Sequence, residues 1–445
     1  MATVTAPPSK SVSHRAVIAA CLAKGTCRIA GLLDSEDLTR TRNCMLAMGA
    51  DMHPQSDGSC IVSGTAGRPQ GGDADDPVVL DVGESGTTCR LLTAVAAAGR
   101  GIFEIRGHGR MHDRPIGELI DALLPLGPHV GYIGKFGHPP LRLETTGLTG
   151  GKIAISLEDS SQYLSGLLLA APLASGPVTI AVTGSKTVSW PYVAITLSTL
   201  ADFSVPFIVE TLEDGKWTSA NWRTLTEVKP GQVRFCMQPA PYYPHDCVVE
   251  GDWSNASYFL AAGALGSQPV TVTGLRADSL QGDRAILDIL TRMGARIETT
   301  PDGITVFPST LSGQILDMSR CPDLVPTVAV AACFAQGTTT ITKVAHLRLK
   351  ESDRIEAVAE NCARAGAAVT TLADGLCIHP NALPTGQTVD FESFNDHRLA
   401  MSAALFELAG VAVRLDNPGC VAKSFPNFWE KWKALGLRPG PHQGV

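Results

Sequence analysis

The 445-residue chain has few aromatic residues, few charges and no long apolar run. Aromatics make up 6% of it, too few for a platform that stacks the bases of a nucleic acid. Charged residues make up 18% and sum to −7, so the chain lacks the basic excess of a nucleic-acid face or a polybasic membrane anchor. Its longest apolar stretch, around Leu164 to Ala174, is far short of the roughly 20 residues that span a bilayer. The N-terminus reaches Pro7-Pro8-Ser9-Lys10 without the apolar segment of a secretion signal. No CxxC pair occurs among the 12 cysteines, and several sit inside apolar helical runs, so they read as reduced, buried thiols. The expectation is a cytoplasmic protein with no membrane and no nucleic-acid partner.

Familiar site signatures are missing as well. Gly147 to Lys152 is one residue short of the phosphate-binding P-loop spacing. Gly107-His108-Gly109 continues without the third glycine of a dinucleotide fingerprint. There is no HExxH, no clustering of the 11 histidines and no GxSxG elbow. Nucleotide-, nicotinamide- or zinc-driven chemistry has no support, and no metal site is expected.

What the chain does have is a 44% apolar content, enough for a large core, with 44 glycines and 29 prolines to turn it often. At roughly 100–200 residues per domain, its length suggests two to four domains. One phrase recurs: an apolar, small-residue helix, then a glycine, then a β-rich run. The glycines are Gly25, Gly101, Gly176, Gly266, Gly337 and Gly410, at intervals of 71 to 90 residues. A second phrase follows, a helix with apolar residues at i, i+3, i+4 and i+7, such as Ile116, Leu119, Ile120 and Leu123, or Ile286, Ile289, Leu290 and Met293. The repeat predicts six βαβαβ-type units in two α/β domains of three units each. The longest interval, the third, places a boundary near Val249-Glu250-Gly251-Asp252.

The helix starts are rich in cations and hydroxyls: Ser9 to Arg15, Glu84 to Arg90, and Ser160-Ser161-Gln162. Free N–H groups at a helix N-terminus attract anions, and adjacent Lys and Arg add to that preference. Plain capping explains any single start; three similar starts in matched units point to a shared anionic ligand. Asp323, after Cys321-Pro322, reads as an N-cap or an acid–base group. Glu351, four residues before Ile355, is expected on the buried side of a helix. Burial there would favour the protonated form that a proton donor needs, and Lys350 and Arg354 would oppose it. Asn395 is expected to cap the helix that carries Arg398, and Lys423 precedes the last amphipathic helix.

Nine runs, in order along nearly the whole chain, resemble the enolpyruvyl transferase family, and within it the branch that acts on shikimate 3-phosphate. They are Pro8 to Arg15, Gly86 to Arg90, Arg110 to Gly117, Ser160 to Gln162, Ser189 to Tyr192, Glu250 to Asp252, Lys350 to Arg354, Asn395 to Arg398 and Lys423 to Pro426. The resemblance implies a two-domain, inside-out α/β barrel, each domain made of three βαβαββ units joined by two crossing strands. Residues 9–249 would form the N-terminal domain and residues 1–8 with 250–445 the C-terminal one, hinged near 8–9 and 249–251. It implies transfer of the enolpyruvyl group of phosphoenolpyruvate to the 5-hydroxyl of shikimate 3-phosphate with release of phosphate, the sixth step toward chorismate. No metal or organic cofactor is implied, and the partners are the two small substrates of a monomer.

Position by position, Lys10 would touch both substrates. Ser11, Arg15, Ser160, Ser161, Gln162, Ser189 and Tyr192 would hold shikimate 3-phosphate. Gly86, Arg114, Arg354, Arg398 and Lys423 would hold phosphoenolpyruvate, with Arg90 and Gln162 close by and Asp396 and His397 near its charged groups. Asp323 would take the hydroxyl proton beside Lys350, and Glu351 would protonate the methylene carbon. His346 stands where the family has an asparagine near the phosphoshikimate. Glu84 and Leu91 also depart from the family pattern, near the phosphoenolpyruvate site that glyphosate occupies in the family. The N-terminus is short of the family's, which implies either a truncated first strand of the second domain or a misplaced start codon. The related transferase that acts on UDP-N-acetylglucosamine uses a loop cysteine, and Gly107 to Ile116 contains none. An RNA 3′-phosphate cyclase-like protein would need a basic face, against the net −7. A non-catalytic remnant would not retain Lys10, Asp323, Glu351, Arg354 and Lys423 together.

Overall fold

The structure, a computed structural model, describes residues 2–440. Met1 and residues 441–445, which the sequence reading assigns to the second domain, lie outside the described residues. The chain separates into two compact bodies, a continuous one, Lys10–Val249, and a discontinuous one that joins the residues up to Ser9 to those from Glu250 onward. The division follows Ser9 rather than residue 8, because the Ser9 amide donates to the Glu250 carbonyl at 2.7 Å.

The recurrent phrase folds as its period dictates. The small-residue helices Lys10–Leu22, Gly86–Ala97, Gln162–Ala170, Trp253–Leu265, Val325–Cys333 and His397–Ala403 are each followed by a turn and a strand. Beyond their polar starts they carry mostly small and apolar residues, which lets them pack inside: every residue of Trp253–Leu265 is buried, as is every residue of Lys10–Leu22 from Ser13 on. The second helices, among them Gly117–Leu123, Ile286–Arg292 and Arg354–Arg364, present one apolar stripe to this interior.

The strands lie outside the helices. In the second unit, Val78–Gly83 runs parallel to Gly101–Gly107, which pairs antiparallel with Leu141–Thr145, itself antiparallel to His129–Tyr132. Leu141–Thr145 buries alternate residues, as expected for a sheet with one face on the helices and one in water. The first, fourth and fifth units repeat this strand order, and the third adds the strand Lys216–Ser219. Among the described residues the result is six separate sheets without a closed ring of strands. The sixth sheet has only Thr388–Phe391 and Ala412–Leu415, because among the described residues no β-rich hairpin follows the helix Phe428–Ala434.

Two strands explain why one body is discontinuous. The first unit takes its leading strand from Cys247–Val248, parallel to Thr26–Ala30. The fourth takes its leading strand from Ala2–Thr5, which pairs with Val270–Thr273 along all four residues. Each body has its own apolar core.

Candidate functional site

In the continuous body the polar residues gather at the starts of the inner helices. Lys10 opens the first and its ammonium meets Asp37 Oδ2 at 3.0 Å, with both side chains largely buried. Asp37 was not among the sequence candidates. It sits in the first turn of the helix Glu36–Ala47, where an acidic residue looks like ordinary dipole compensation. Its carbonyl also accepts from the Thr88 hydroxyl at 3.2 Å. Thr88 in turn lies 2.8 Å from Ser85 Oγ and 2.7 Å from Thr41 Oγ1, which is 2.7 Å from His14 Nδ1. A buried polar chain thus ties the helix of Lys10 to the helix that begins at Gly86.

Burial pushes the His14 imidazole down from 6.5 to about 3, with Asp37 opposing and Lys10 and Arg15 adding to the fall. The folded protein therefore holds a neutral ring in a range where the unfolded chain binds a proton. Its contribution to stability is complete above about pH 6.5 and is lost as pH falls toward 3. His14→Gln should remove about one proton from the pH slope of stability in that window, ~1.4 kcal/mol per pH unit. Chemical denaturation at stepped pH measures this; an unchanged slope would contradict the neutral ring.

Ser85 caps the helix Gly86–Ala97 by accepting from the Thr88 amide at 3.3 Å. A Cβ at Gly86 would strike the guanidinium of Arg114 and make it shift. Arg114 Nη1 donates to the Glu84 carbonyl at 3.1 Å, so Glu84 serves the site through its backbone. Arg90 Nη1 donates to Gln162 Oε1 at 2.9 Å, and Gln162 Nε2 donates to Thr87 at 2.9 Å. Ser160 and Ser161 lie buried at the start of the helix of Gln162, and Ser160 Oγ accepts from the Gln162 amide.

Arg15 is enclosed. Nε donates to Thr196 at 2.7 Å, Nη1 to the Ser11 carbonyl at 2.8 Å, and Nη2 to Ser165 at 3.2 Å and the Tyr192 carbonyl at 3.0 Å. Burial pushes its pKa down to about 10, with Tyr192 opposing, so it stays charged at neutral pH. These bonds tie it to the backbone of Ser11 and Tyr192 and to the hydroxyls of Ser165 and Thr196. Ser189, before the helix Trp190–Asp202, adopts a left-handed φ of 57°, a strained geometry for serine.

In the discontinuous body the centre is a guanidinium. Arg354 donates from Nε to Asp396 Oδ2 at 2.7 Å, from Nη2 to Asp396 Oδ1 at 3.2 Å, and from Nη1 to Asp323 Oδ1 at 3.0 Å. Burial acts to lower the pKa of Arg354, but Asp396, Asp323 and Glu351 outweigh it and leave it raised. Arg398 Nη2 donates to Asp323 Oδ2 at 2.6 Å, and His397 Nδ1 lies 2.9 Å from Glu351 Oε2. Lys423 donates to the Asn395 carbonyl at 2.6 Å. His346 is buried in the turn Ala345–Leu349, and Lys350 follows that turn half-buried.

Three local readings change. Asp323 is no helix cap: it lies in the turn Pro322–Leu324, between two arginines. Glu351 lies ahead of the helix, not on it, because Asp353 captures the Ile355 and Glu356 amides and starts the helix at Arg354. Asn395 does not cap its helix. Asp396 does, accepting from the Arg398 amide at 3.0 Å, while Phe394 and Asn395 both take left-handed φ near 52°. Asp396 is wholly enclosed, so it fixes Arg354 rather than facing a ligand. One ligand atom each of Glu351, Asp396 and His397 falls within 4.8 Å of the others, but both Asp396 oxygens accept from Arg354. The trio is organised around a guanidinium.

The chain is similar to proteins of known activity along nearly its whole length. The family model for EPSP synthase (3-phosphoshikimate 1-carboxyvinyltransferase) matches residues 1–432. A 3-phosphoshikimate 1-carboxyvinyltransferase of Shewanella amazonensis is 39% identical over 435 residues, 97% of this chain and 96% of that one. One from a Marinomonas species is 38% identical, covering 96% of this chain and 95% of its own. Among solved structures, an EPSP synthase from Acinetobacter baumannii superposes with a TM-score of 0.75 at 25% identity, covering 98% of this chain and 96% of that one. The enolpyruvyl transferase NikO from Streptomyces tendae shares the fold, with a TM-score of 0.70 at 18% identity, covering 98% and 95%.

Proposed function

The chain belongs to the EPSP synthase family, and on that premise we propose that it transfers the enolpyruvyl group of phosphoenolpyruvate to the 5-hydroxyl of shikimate 3-phosphate, releasing phosphate. The observation that carries this reading is the pair Asp323 and Glu351, each held by cationic or imidazole partners and each partly open to solvent. The reaction needs a base for the hydroxyl and an acid for carbon. Asp323 takes the 5-hydroxyl proton as the oxygen bonds to C2 of phosphoenolpyruvate, and Glu351 delivers a proton to C3. The tetrahedral adduct then loses phosphate, and a proton leaves C3 to restore the double bond. The two carboxyl groups exchange roles in that step.

Both substrates are polyanions, so the remaining residues supply positive charge in preset positions. Arg114, Arg354, Arg398 and Lys423 are assigned to phosphoenolpyruvate, with Gly86 leaving room for the Arg114 guanidinium. Ser11, Ser160, Ser161, Gln162, Ser189 and Tyr192 are assigned to shikimate 3-phosphate, and Lys10 to both. Arg15 is assigned to shikimate 3-phosphate as well, and Asp396 supports Arg354 from behind. The salt bridges of Asp323 to Arg354 and Arg398 must loosen when an anion takes those arginines, which delivers Asp323 to its hydroxyl partner.

The stretch Gly107 to Ile116, with its turn Gly109–Asp113, carries no thiol, which supports shikimate 3-phosphate over a UDP-sugar. We further infer a monomer working in a reducing cytoplasm. All 12 cysteines are free and none is exposed, and no helix among the described residues is long and apolar enough to cross a membrane.

Asp37 provides a first check. Asp37→Asn keeps the shape but removes the charge facing Lys10. Losing one charge-assisted hydrogen bond should lower turnover about 10–100-fold with little change in melting temperature. Steady-state kinetics on the variant and on Asp37→Glu, which should recover part of the loss, test this. Unaltered turnover in Asp37→Asn would remove Asp37 from the site.

A further inference from the structure

The continuous body holds a cavity of about 800 Å³ at the far ends of the same inner helices. Ala98 and Gly99, just past the helix Gly86–Ala97, line it, as do Pro172 and Leu173 after the helix Gln162–Ala170. At 1.5 Å per residue, the 12-residue helix Gly86–Ala97 sets the cavity ~18 Å from the end that carries Gly86 and Arg90.

The charge of this cavity runs against that of the chain. No Asp or Glu lines it, although acids outnumber Lys and Arg 43 to 36 overall. Arg68 and Arg100 do line it, and among the described residues neither guanidinium makes a hydrogen bond or ion pair. Of the other arginines on this body, Arg28, Arg40 and Arg106 each pair with a carboxylate. Thr146 adds a hydroxyl to the lining, and Leu148 and Pro241 form apolar wall. Helix C-termini carry partial negative charge, so without the two arginines the cavity would repel an anion.

We propose that this cavity binds a small organic dicarboxylate, apart from the substrates. A planar guanidinium matches a carboxylate through paired hydrogen bonds, and two of them suit two acidic groups on one carbon skeleton. The apolar wall accepts the skeleton, and the volume lies within the roughly 300–1,000 Å³ usual for small-molecule sites. The inference does not depend on the activity proposed above, since neither arginine is assigned to it.

Calorimetric titration of phthalate into the full chain tests this. Wild type should show one site whose affinity is unchanged by saturating phosphoenolpyruvate. Arg68→Ala and Arg100→Ala should each weaken it about tenfold, and Thr146→Trp, which fills the cavity from an exposed position, should abolish it. Turnover without phthalate should stay at the wild-type value in all three. No binding at millimolar phthalate, competition by phosphoenolpyruvate, or equal affinity in the Arg68→Ala/Arg100→Ala double variant would each overturn the proposal.

Discussion

Asp323→Asn and Glu351→Gln should each lower turnover by roughly 10²–10⁴-fold, the range for loss of a positioned proton-transfer group. Both replacements keep size and hydrogen-bonding shape, so substrate KM should move far less than kcat. Asp323 lies between Arg354 and Arg398, and Glu351 is held by His397. A neutral amide at either place can still hydrogen-bond but can neither accept the hydroxyl proton nor deliver one to carbon. Single-turnover measurements at saturating substrates would isolate the chemical step. Near-normal turnover in either variant would remove that residue from the chemistry.

The second large effect concerns stability. Asp396→Ala should destabilise the protein by about 3–5 kcal/mol, as when one partner of a buried ion pair is removed. Arg354 is 3% exposed and Asp396 fully enclosed. Without Asp396, Arg354 keeps Asp323 and the more distant Glu351, 3.8 Å away, and the helix of Arg398 loses its cap. Denaturant unfolding of the variant measures the loss; a change under 1 kcal/mol would mean that Arg354 is balanced elsewhere. Asp396→Asn, which retains the cap, should lie between the two.

Part of this molecule could be read before any coordinates. The helix–glycine–strand phrase is local, and its period survives in the sequence, so six units and the change near Glu250 are visible there. The residues that contact an anion in the family also sit in short runs at helix starts, where chemistry and position coincide. What the sequence hides is pairing across long separations. Asp37 looks like a first-turn acid until Lys10 and Thr88 are seen beside it. Asp396 looks like one more polar residue in Asn395-Asp396-His397-Arg398 until Arg354 closes on it from 42 positions away. Arg15 looks like a free cation but is enclosed by groups up to 181 positions distant. Helix starts shifted for a related reason: Asp353 and Asp396 won the caps by backbone geometry that composition does not show. The strand Cys247–Val248 is two residues long, too short for any periodic signal.

The most direct test of the central claim is phosphate release from phosphoenolpyruvate by the purified chain, without added metal or nucleotide, in the presence of shikimate 3-phosphate or of UDP-N-acetylglucosamine. The account predicts release with shikimate 3-phosphate alone, in step with formation of 5-enolpyruvylshikimate 3-phosphate. Release with the UDP-sugar, or with neither acceptor, would contradict it.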